Sequence, residues 1–232
     1  EAAVARESDA IKPGDELVAI NGAELGSGVN INEVLENTIG KKVTLRFKGE
    51  GEEAQEFSVK PMSRGAVSNL RYDAWVRNNA AYVDRISNGR IGYVHIPDMG
   101  TGSLLDFRRE LDSEIHGKDG VIIDIRYNNG GWIADILSRR VTHYQSFRGK
   151  GRTPSASLVG NYILGRPSVL LQNEQSLSNA ENFSETYRQL GVGTIVGTNT
   201  CGWLVFTSGS GLVNGVFIRR PTWKNLTLDG VD

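Results

Sequence analysis

The stretch Val121-Ile122-Ile123-Asp124-Ile125-Arg126-Tyr127-Asn128-Asn129-Gly130-Gly131-Trp132 decides the fold class of this protein. Its first five residues form an apolar run interrupted only by Asp124, which predicts a strand buried on both faces, as in a parallel sheet. The paired glycines then begin a segment with helical spacing of apolar residues over 132–140. A strand, a glycine turn and a helix in this order form the repeating unit of an α/β fold.

The same alternation continues on both sides of this stretch. We predict further strands at 91–96, 168–171 and 194–196, and further helices at 104–115 and 180–190. Strands that alternate with helices favour a mostly parallel sheet with right-handed crossovers. The tail from 205 to 223 is rich in glycine and has a strand-like pattern.

The first sixty residues have a different pattern. Leu17-Val18-Ala19-Ile20 predicts a short strand, and Asn21-Gly22 predicts a hairpin turn. A helical stripe follows over 31–39, and apolar residues alternate with polar ones around 43–47 and 57–59. A polar connector at 61–69 and a helix over 72–83 separate this part from the rest. We therefore predict a small α+β domain at 1–62, a connector and helix at 63–90, and the α/β core at 91–232.

Composition excludes several classes of function. The chain has 232 residues, of which 39% are hydrophobic and 23% are charged, and its formal net charge is -1. This balance gives no basic excess for binding nucleic acid. No apolar run reaches the roughly 20 residues that a membrane helix needs, so we expect no membrane insertion. The single cysteine, Cys201, allows no internal disulfide and no multi-cysteine metal site, and we assign no cofactor and no metal.

Ser178 and Asn179 lie where the strand at 168–171 gives way to the helix at 180–190. A side chain at such a turn stands clear of the sheet beside the positive end of a helix dipole, where a developing negative charge is stabilised. Serine nucleophiles of other hydrolases use this placement. The competing interpretation is that either residue only caps the helix, because both residue types are good N-caps. The local pattern alone favours the cap.

The glycines at 130 and 131 have two interpretations as well. The N–H of Gly130 is a candidate donor for an oxyanion hole, since glycine lets the backbone approach a ligand closely. The alternative is an ordinary tight turn between a strand and a helix, and the local pattern alone favours it.

Taken together, these segments resemble one family. Asp124-Ile125-Arg126 with Asn128, Gly130 and Gly131 resembles the strand and turn of the tail-specific and tricorn serine proteases. About fifty residues later, the run from Asn173 to Glu181 resembles their nucleophile segment. The run from Ile91 to Met99 is similar to a signature of the tricorn branch. The segment that contains Leu17 to Gly22 resembles the second half of a PDZ domain, although the carboxylate-binding loop of such a domain would lie before Glu1.

The resemblance implies a partial PDZ domain followed by a core like those of ClpP and the crotonases. It implies that Ser178 is the nucleophile of a serine peptidase, and that the N–H groups of Gly130 and Asn179 form the oxyanion hole. The serine would attack a peptide carbonyl of an oligopeptide or unfolded protein and form an acyl-enzyme. Members of this branch assemble into rings, so the resemblance allows a homo-oligomer, but the sequence does not fix the oligomeric state. The resemblance favours the cytoplasm, but the compartment stays open.

The general base is not identified in this sequence. His95 lies in a predicted buried strand and is expected to be a core histidine, His116 follows a predicted helix, and His143 lies in a polar stretch. In the tricorn branch the base is a histidine from a segment before the PDZ domain. A glutamate that completes the charge network of the site follows a sequence motif near the end of the core, and this sequence stops at that motif, at Asp232. We therefore expect a fragment that lacks both groups and has little or no peptidase activity alone. Robust turnover abolished by Ser178→Ala would contradict this expectation.

Two departures from the family pattern leave the substrate surface uncertain. Cys201-Gly202-Trp203 stands where relatives have a Trp-Gly-Gly-like run, and Leu177 replaces a smaller residue. The main alternative to a peptidase is a non-catalytic peptide-binding scaffold that contains a PDZ domain. A crotonase-type acyl-CoA enzyme shares the core architecture but does not explain residues 1–62. The joint presence of Ser178, Gly130 and Asn179 favours the peptidase.

Overall fold

The fold was analysed in a computed structural model that describes residues 11–51, 53–113, 117–142, 147–150, 156–159, 164, 166–226 and 230. The chain divides into two compact units, Glu1–Arg77 and Asn78–Asp232. The predicted α/β fold class, in which a small α+β unit precedes a unit with a parallel sheet, is confirmed. None of the helices that the structure describes is both long enough and apolar enough to span a membrane.

The first unit is built on a four-stranded antiparallel sheet in the order β2-β1-β3-β4. Its elements are β1 (Glu16–Ile20), β2 (Ala23–Glu24), α1 (Ile31–Val34), β3 (Val43–Lys48) and β4 (Gln55–Val59). Asn21 and Gly22 both have positive φ angles, 50° and 80°, as the predicted two-residue hairpin turn requires. Ile20, Val43, Leu45 and Val59 form the small core of this unit.

The helix predicted over 31–39 is shorter in the structure. The side chain of Asn30 accepts a hydrogen bond from the Asn32 N–H (3.1 Å) and caps the start of α1. The helix ends at Val34, and Asn37 and Gly40 then take positive φ angles of 57° and 76°. These left-handed residues turn the chain away from the helical path, so Ile39 does not extend the stripe.

The connector predicted at 61–69 is largely helical, because α2 spans Arg64–Ile86. The Ser63 hydroxyl accepts a hydrogen bond from the Ala66 N–H (3.1 Å), so Ser63 caps the helix. The polar Ser-Arg-Gly sequence therefore marks a helix start and is not an extended linker. The two compact units divide within α2, between Arg77 and Asn78. The predicted domain boundaries remain predictions.

The second unit contains a parallel sheet in the order β10-β9-β6-β5. Its strands are β5 (Ile91–His95), β6 (Gly120–Asp124), β9 (Ser168–Gln172) and β10 (Thr194–Gly197). The helices that alternate with them are α3 (Thr101–Ser113), α4 (Ala134–Thr142) and α5 (Asn179–Gln189). All of these elements match the predicted order, and the carboxyl ends of β6 and β9 lie side by side.

Two antiparallel hairpins complete this unit: β7 (Phe147–Lys150) with β8 (Ala156–Val159), and β11 (Val205–Gly211) with β12 (Phe217–Lys224). The core between the sheet and its helices is apolar and includes Val94, Ile123, Leu137, Leu170 and Phe183.

A buried polar network lies at the end of β6. The Asp124 carboxylate is fully buried. It accepts a hydrogen bond from the Tyr93 hydroxyl (2.6 Å) and forms an ion pair with the Arg126 guanidinium (2.5 Å). Burial, reinforced by Asp124, raises the pKa of Tyr93. The network satisfies the buried carboxylate directly before the glycine turn, and it fixes the direction in which the chain leaves the strand.

Tyr93→Phe is expected to destabilise the protein by about 1–3 kcal/mol at neutral pH, since Asp124 loses one donor. The pKa of Tyr93 is raised above that of a tyrosine in the unfolded chain, about 10. Its stabilising contribution is therefore complete below pH of about 10 and is lost as the pH rises further. Urea unfolding at pH 8 and above 10 measures both effects. The exposed Tyr82 provides the control variant Tyr82→Phe. If Tyr93→Phe lost as much unfolding free energy above pH 10 as the wild type does, the assignment of this loss to Tyr93 would be contradicted.

Candidate active site

Ser178 occupies the turn between β9 and α5, at the N-cap position of the helix. Its backbone angles are φ 54° and ψ -114°. A helix cap normally has an extended backbone. A non-glycine residue at positive φ with this ψ is strained, and such strain is concentrated at functional sites. The sharp strand-to-helix turn of α/β-hydrolases holds its serine in a strained conformation for the same purpose, to expose the hydroxyl.

Ser178 also has a structural contact at the start of α5, and that contact is made by its backbone. The Glu181 half of a capping box is present, in which the Ser178 N–H donates to the Glu181 carboxylate at 2.6 Å. Capping alone does not require a positive φ at the serine. The residue therefore has a structural contact and, in addition, a backbone conformation that a simple cap does not need.

Glu181 ties this turn to a distant loop. Its side chain is buried, with 5% exposure. One carboxylate oxygen accepts the Ser178 N–H, and the other accepts the N–H groups of Gly202 (2.8 Å) and Trp203 (3.1 Å). A single carboxylate thus fixes both the serine turn and the segment that leads into β11.

Gly130 packs directly against the serine turn. A Cβ atom at this position would lie 2.7 Å from the Leu177 carbonyl oxygen, 2.8 Å from the Ser178 Cβ and 3.0 Å from the Asn179 nitrogen. Its φ of 85° is also unfavourable for any side chain. Only glycine fits here, so the two segments singled out in the sequence meet in the fold.

Asn128 organises the glycine turn. Its side-chain amide donates to the Ile96 carbonyl (2.8 Å), and its side-chain oxygen accepts the Gly130 N–H (2.9 Å). Its backbone carbonyl accepts the Leu177 N–H (2.8 Å). The N–H predicted as an oxyanion-hole donor, that of Gly130, is therefore bonded to Asn128 in this structure, and its catalytic role stays a prediction.

Gly131 is held against the segment after β5. The Met99 N–H donates to the Gly130 carbonyl (2.9 Å), and the Trp132 N–H donates to the Met99 carbonyl (2.8 Å). A Cβ atom on Gly131 would lie 2.2 Å from the Met99 carbonyl oxygen, which excludes any side chain. This contact joins the Ile-Pro-Asp-Met segment to the paired glycines.

Asn179 joins the two helix starts. Its side-chain oxygen accepts the Ala134 N–H (2.9 Å) and so caps α4, while its own backbone begins α5. The first N–H groups of a helix have no acceptor within the helix. The Asn179 N–H therefore has the position expected of an anion-binding donor beside Ser178.

A cavity of about 170 Å³ opens beside the serine turn. One wall is formed by Gly131, Ser178, Asn179 and Asn182. The other lining residues are 204–207, Arg219 and Asn225, in and around the β11–β12 hairpin. Ser178 and Asn179 thus share one concave surface with Gly131, as a nucleophile and its anion-stabilising groups must.

Gly130→Ala in the complete protein is expected to lower peptidase activity at least about 100-fold, because the new Cβ would displace the turn that carries Ser178. Gly191→Ala is the matched control: Gly191 also has positive φ (60°), but a Cβ there would meet nothing within 4 Å. Both variants incur backbone strain, and only Gly130→Ala disturbs the site. Equal activity of the two variants would contradict the packing of Gly130 against Ser178.

Of the three histidines in the sequence, the structure describes His95 alone. His95 is the last residue of β5 and is half-buried, and burial lowers its pKa although Asp124 opposes the shift. His116 and His143 lie outside the described residues. No histidine is among the described residues that line the cavity. Within the described ranges, no cluster of three or more His, Cys, Asp or Glu side chains could hold a metal ion, and Cys201 is an exposed free thiol.

Comparison with known proteins identifies the family. Residues 90–232 match Peptidase family S41. The chain belongs to peptidase family S41. Residues 3–64 of this S41 chain match the Tricorn protease PDZ domain. The resemblance to the tricorn branch that the sequence motifs predicted is therefore confirmed.

The relatives of this S41 chain are much longer proteins. It is 30% identical over 204 residues to the tricorn protease of Thermoplasma acidophilum, covering 87% of the chain and 19% of that protein. It is 32% identical over 222 residues to tricorn protease homolog 1 of Streptomyces coelicolor, covering 92% and 20%. A crystal structure of the tricorn protease superposes with a TM-score of 0.76 at 28% identity, covering 93% and 21%. The chain spans about a fifth of the length of these relatives.

Sequence reasoning missed three residues of the site in this S41 chain. Asn128 and Glu181 were noted only as parts of motifs, although their hydrogen bonds hold the two turns together. Arg219 was not considered, because nothing in the sequence indicates that β12 reaches the cavity. An Asn two residues before a glycine and a Glu three residues after a serine are the local signals for the first two.

Proposed function

We propose that this protein is a serine-type peptidase that cleaves oligopeptides or unfolded proteins, with Ser178 as its nucleophile. The observation that carries the proposal is the strained backbone of Ser178 at the start of α5, packed against Gly130 on a cavity wall. Membership of peptidase family S41 supports the same chemistry.

In the proposed mechanism, the Ser178 oxygen attacks the carbonyl carbon of a peptide bond, and its proton passes to a general base. The carbonyl oxygen becomes an oxyanion that backbone N–H groups stabilise. Collapse of this intermediate releases the amine product, which takes up a proton, and leaves an ester on Ser178. Water then attacks the ester and releases the acid product, which restores the serine hydroxyl.

We propose the Asn179 N–H as one oxyanion-hole donor and a glycine N–H as the other. Gly130 is the glycine that the family resemblance indicates. To act as a donor to the oxyanion, its N–H must break its hydrogen bond to the Asn128 side-chain oxygen. Gly131 already lines the cavity with Ser178 and Asn179, so its N–H is the second candidate. Removing one such donor typically lowers the rate by about 10²–10³-fold.

The test uses the protein expressed from its complete reading frame. We expect it to hydrolyse an unstructured peptide into two fragments that mass spectrometry identifies, and to leave a stably folded protein intact. Residues 1–232 alone serve as a comparison and are expected to show little or no turnover. Peptide binding by the complete protein without any cleavage would instead support the non-catalytic scaffold. Whether the protein is a homo-oligomer is tested on the same preparation by light scattering.

A further inference from the structure

Arg219 is the one charged side chain among the described residues that line the cavity beside Ser178. We propose that Arg219 determines substrate specificity by binding a carboxylate of the substrate. The inference rests on the proposed function, because it concerns a peptide bound at the same cavity. It assigns a charge preference to that cavity, which the family membership does not.

The guanidinium of Arg219 is oriented by its own hairpin. Its Nε donates to the Thr207 hydroxyl at 2.6 Å, across the β11–β12 pair. An arginine has five N–H donors. The Nε donor is used by Thr207, so the four donors on the two terminal nitrogens remain. No ion pair joins Arg219 to an acidic side chain within the described part of the chain. A carboxylate entering the cavity therefore meets an oriented, positively charged fork.

The other described lining residues carry no charge that would compete with Arg219 for an acidic group. Residues 204–206 of the chain also line the cavity, and Asn182 and Asn225 give it neutral polar groups. The Asn225 amide donates to the Asn182 side-chain oxygen (3.1 Å), so these two asparagines are bonded to each other. Guanidinium and carboxylate pair through two parallel hydrogen bonds, which gives geometric specificity as well as affinity.

The strand itself supplies a matched control. Successive side chains of a strand point to opposite faces, so Arg219 and Arg220 face in opposite directions. Both residues are exposed, but only Arg219 lines the cavity. Arg219→Gln and Arg220→Gln therefore change the net charge equally, and only the first removes the fork from the cavity.

Two kinds of carboxylate have this chemistry: an acidic side chain and the C-terminal carboxylate of a peptide. The experiment measures binding to the complete protein carrying Ser178→Ala, so that no cleavage interferes. The probes are fluorescently labelled unstructured peptides that contain Glu or Gln at each of several positions, each with a free or an amidated C-terminus. Fluorescence anisotropy gives the dissociation constant of each probe, with and without Arg219→Gln or Arg220→Gln.

We expect Arg219→Gln to weaken binding of the best Glu-containing or free-acid peptide about 10- to 100-fold. The matching Gln-containing or amidated peptide should bind the proteins with and without Arg219→Gln with dissociation constants within about twofold of each other. Arg220→Gln should change the dissociation constant of the charged or the neutral peptide by no more than about twofold. Arg219→Lys should fall between, since lysine keeps the charge but loses the fork. A loss confined to the Glu peptides identifies a side-chain carboxylate, and one confined to free-acid peptides identifies the C-terminus.

Equal effects of Arg219→Gln and Arg220→Gln, or equal affinity for charged and neutral peptides, would overturn the inference. Neither result bears on the proposed function, which fails only if the protein with Ser178 intact cleaves no peptide. Conversely, a charge preference that depends on Arg219 would stand even in a protein that binds peptides without cleaving them.

Discussion

Ser178→Ala in the complete protein is expected to lower kcat/KM for an unstructured peptide by at least about 10⁴-fold. In the proposed mechanism, the Ser178 hydroxyl is the group that forms the acyl-enzyme. Loss of a nucleophilic serine in an enzyme of this kind removes the covalent route and leaves only binding and oxyanion stabilisation. Hydrolysis is measured by separating and quantifying the peptide fragments.

The stability of two variants tests the strained backbone independently of activity. Ser178→Gly is expected to be more stable than Ser178→Ala by about 1 kcal/mol or more, since a φ of 54° costs energy for alanine and little for glycine. Both variants should be equally inactive. Thermal unfolding gives the comparison, and a glycine variant less stable than the alanine variant would contradict the strained turn. Residual activity in both above about 1% would contradict the nucleophile.

Glu181→Ala is expected to destabilise the second unit by about 2–4 kcal/mol and to lower activity at least about 100-fold. The substitution removes the acceptor of the Ser178, Gly202 and Trp203 N–H groups at once. Hydrogen bonds to a charged group are among the stronger ones. The serine turn then loses one of the contacts that fix its position.

Glu185 provides the control for this prediction. It lies on the same helix and pairs with Arg188 (2.6 Å) at the surface, where an ion pair contributes about 0–1 kcal/mol. Glu185→Ala should therefore leave stability and activity close to wild type. Glu181→Gln keeps the shape but presents an amide to several donors, so it should be intermediate in both measurements. Urea unfolding and steady-state kinetics are the readouts, and a Glu181→Ala variant as active as Glu185→Ala would contradict the positioning role.

The α/β core was predictable from the sequence because its strands are continuous apolar runs and its helices keep an apolar stripe. The place of Ser178 was predictable for the same reason, since a buried strand and a helix bracket it within a few residues. The resemblance to known proteases then indicated that this turn and the glycine turn belong together. Their contact in the structure, through Gly130 and Leu177, agrees with that expectation.

Other features were not predictable because they depend on contacts between distant segments. Glu181 meets Gly202, and Arg219 reaches the cavity only because β12 pairs with β11. The helix α2 was predicted too short because Ser63, which caps it, was interpreted as part of a linker. The bond between Gly130 and Asn128 depends on a side-chain rotamer, which no sequence pattern fixes.

The most direct test of the central claim, that Ser178 is the nucleophile, is mass spectrometry of the complete protein after reaction with a peptidyl ester that deacylates slowly. We expect one added acyl group, located by fragmentation on the tryptic peptide that contains Ser178, and no addition to Ser178→Ala. An acyl group on any other residue, or equal labelling of wild type and Ser178→Ala, would contradict the claim.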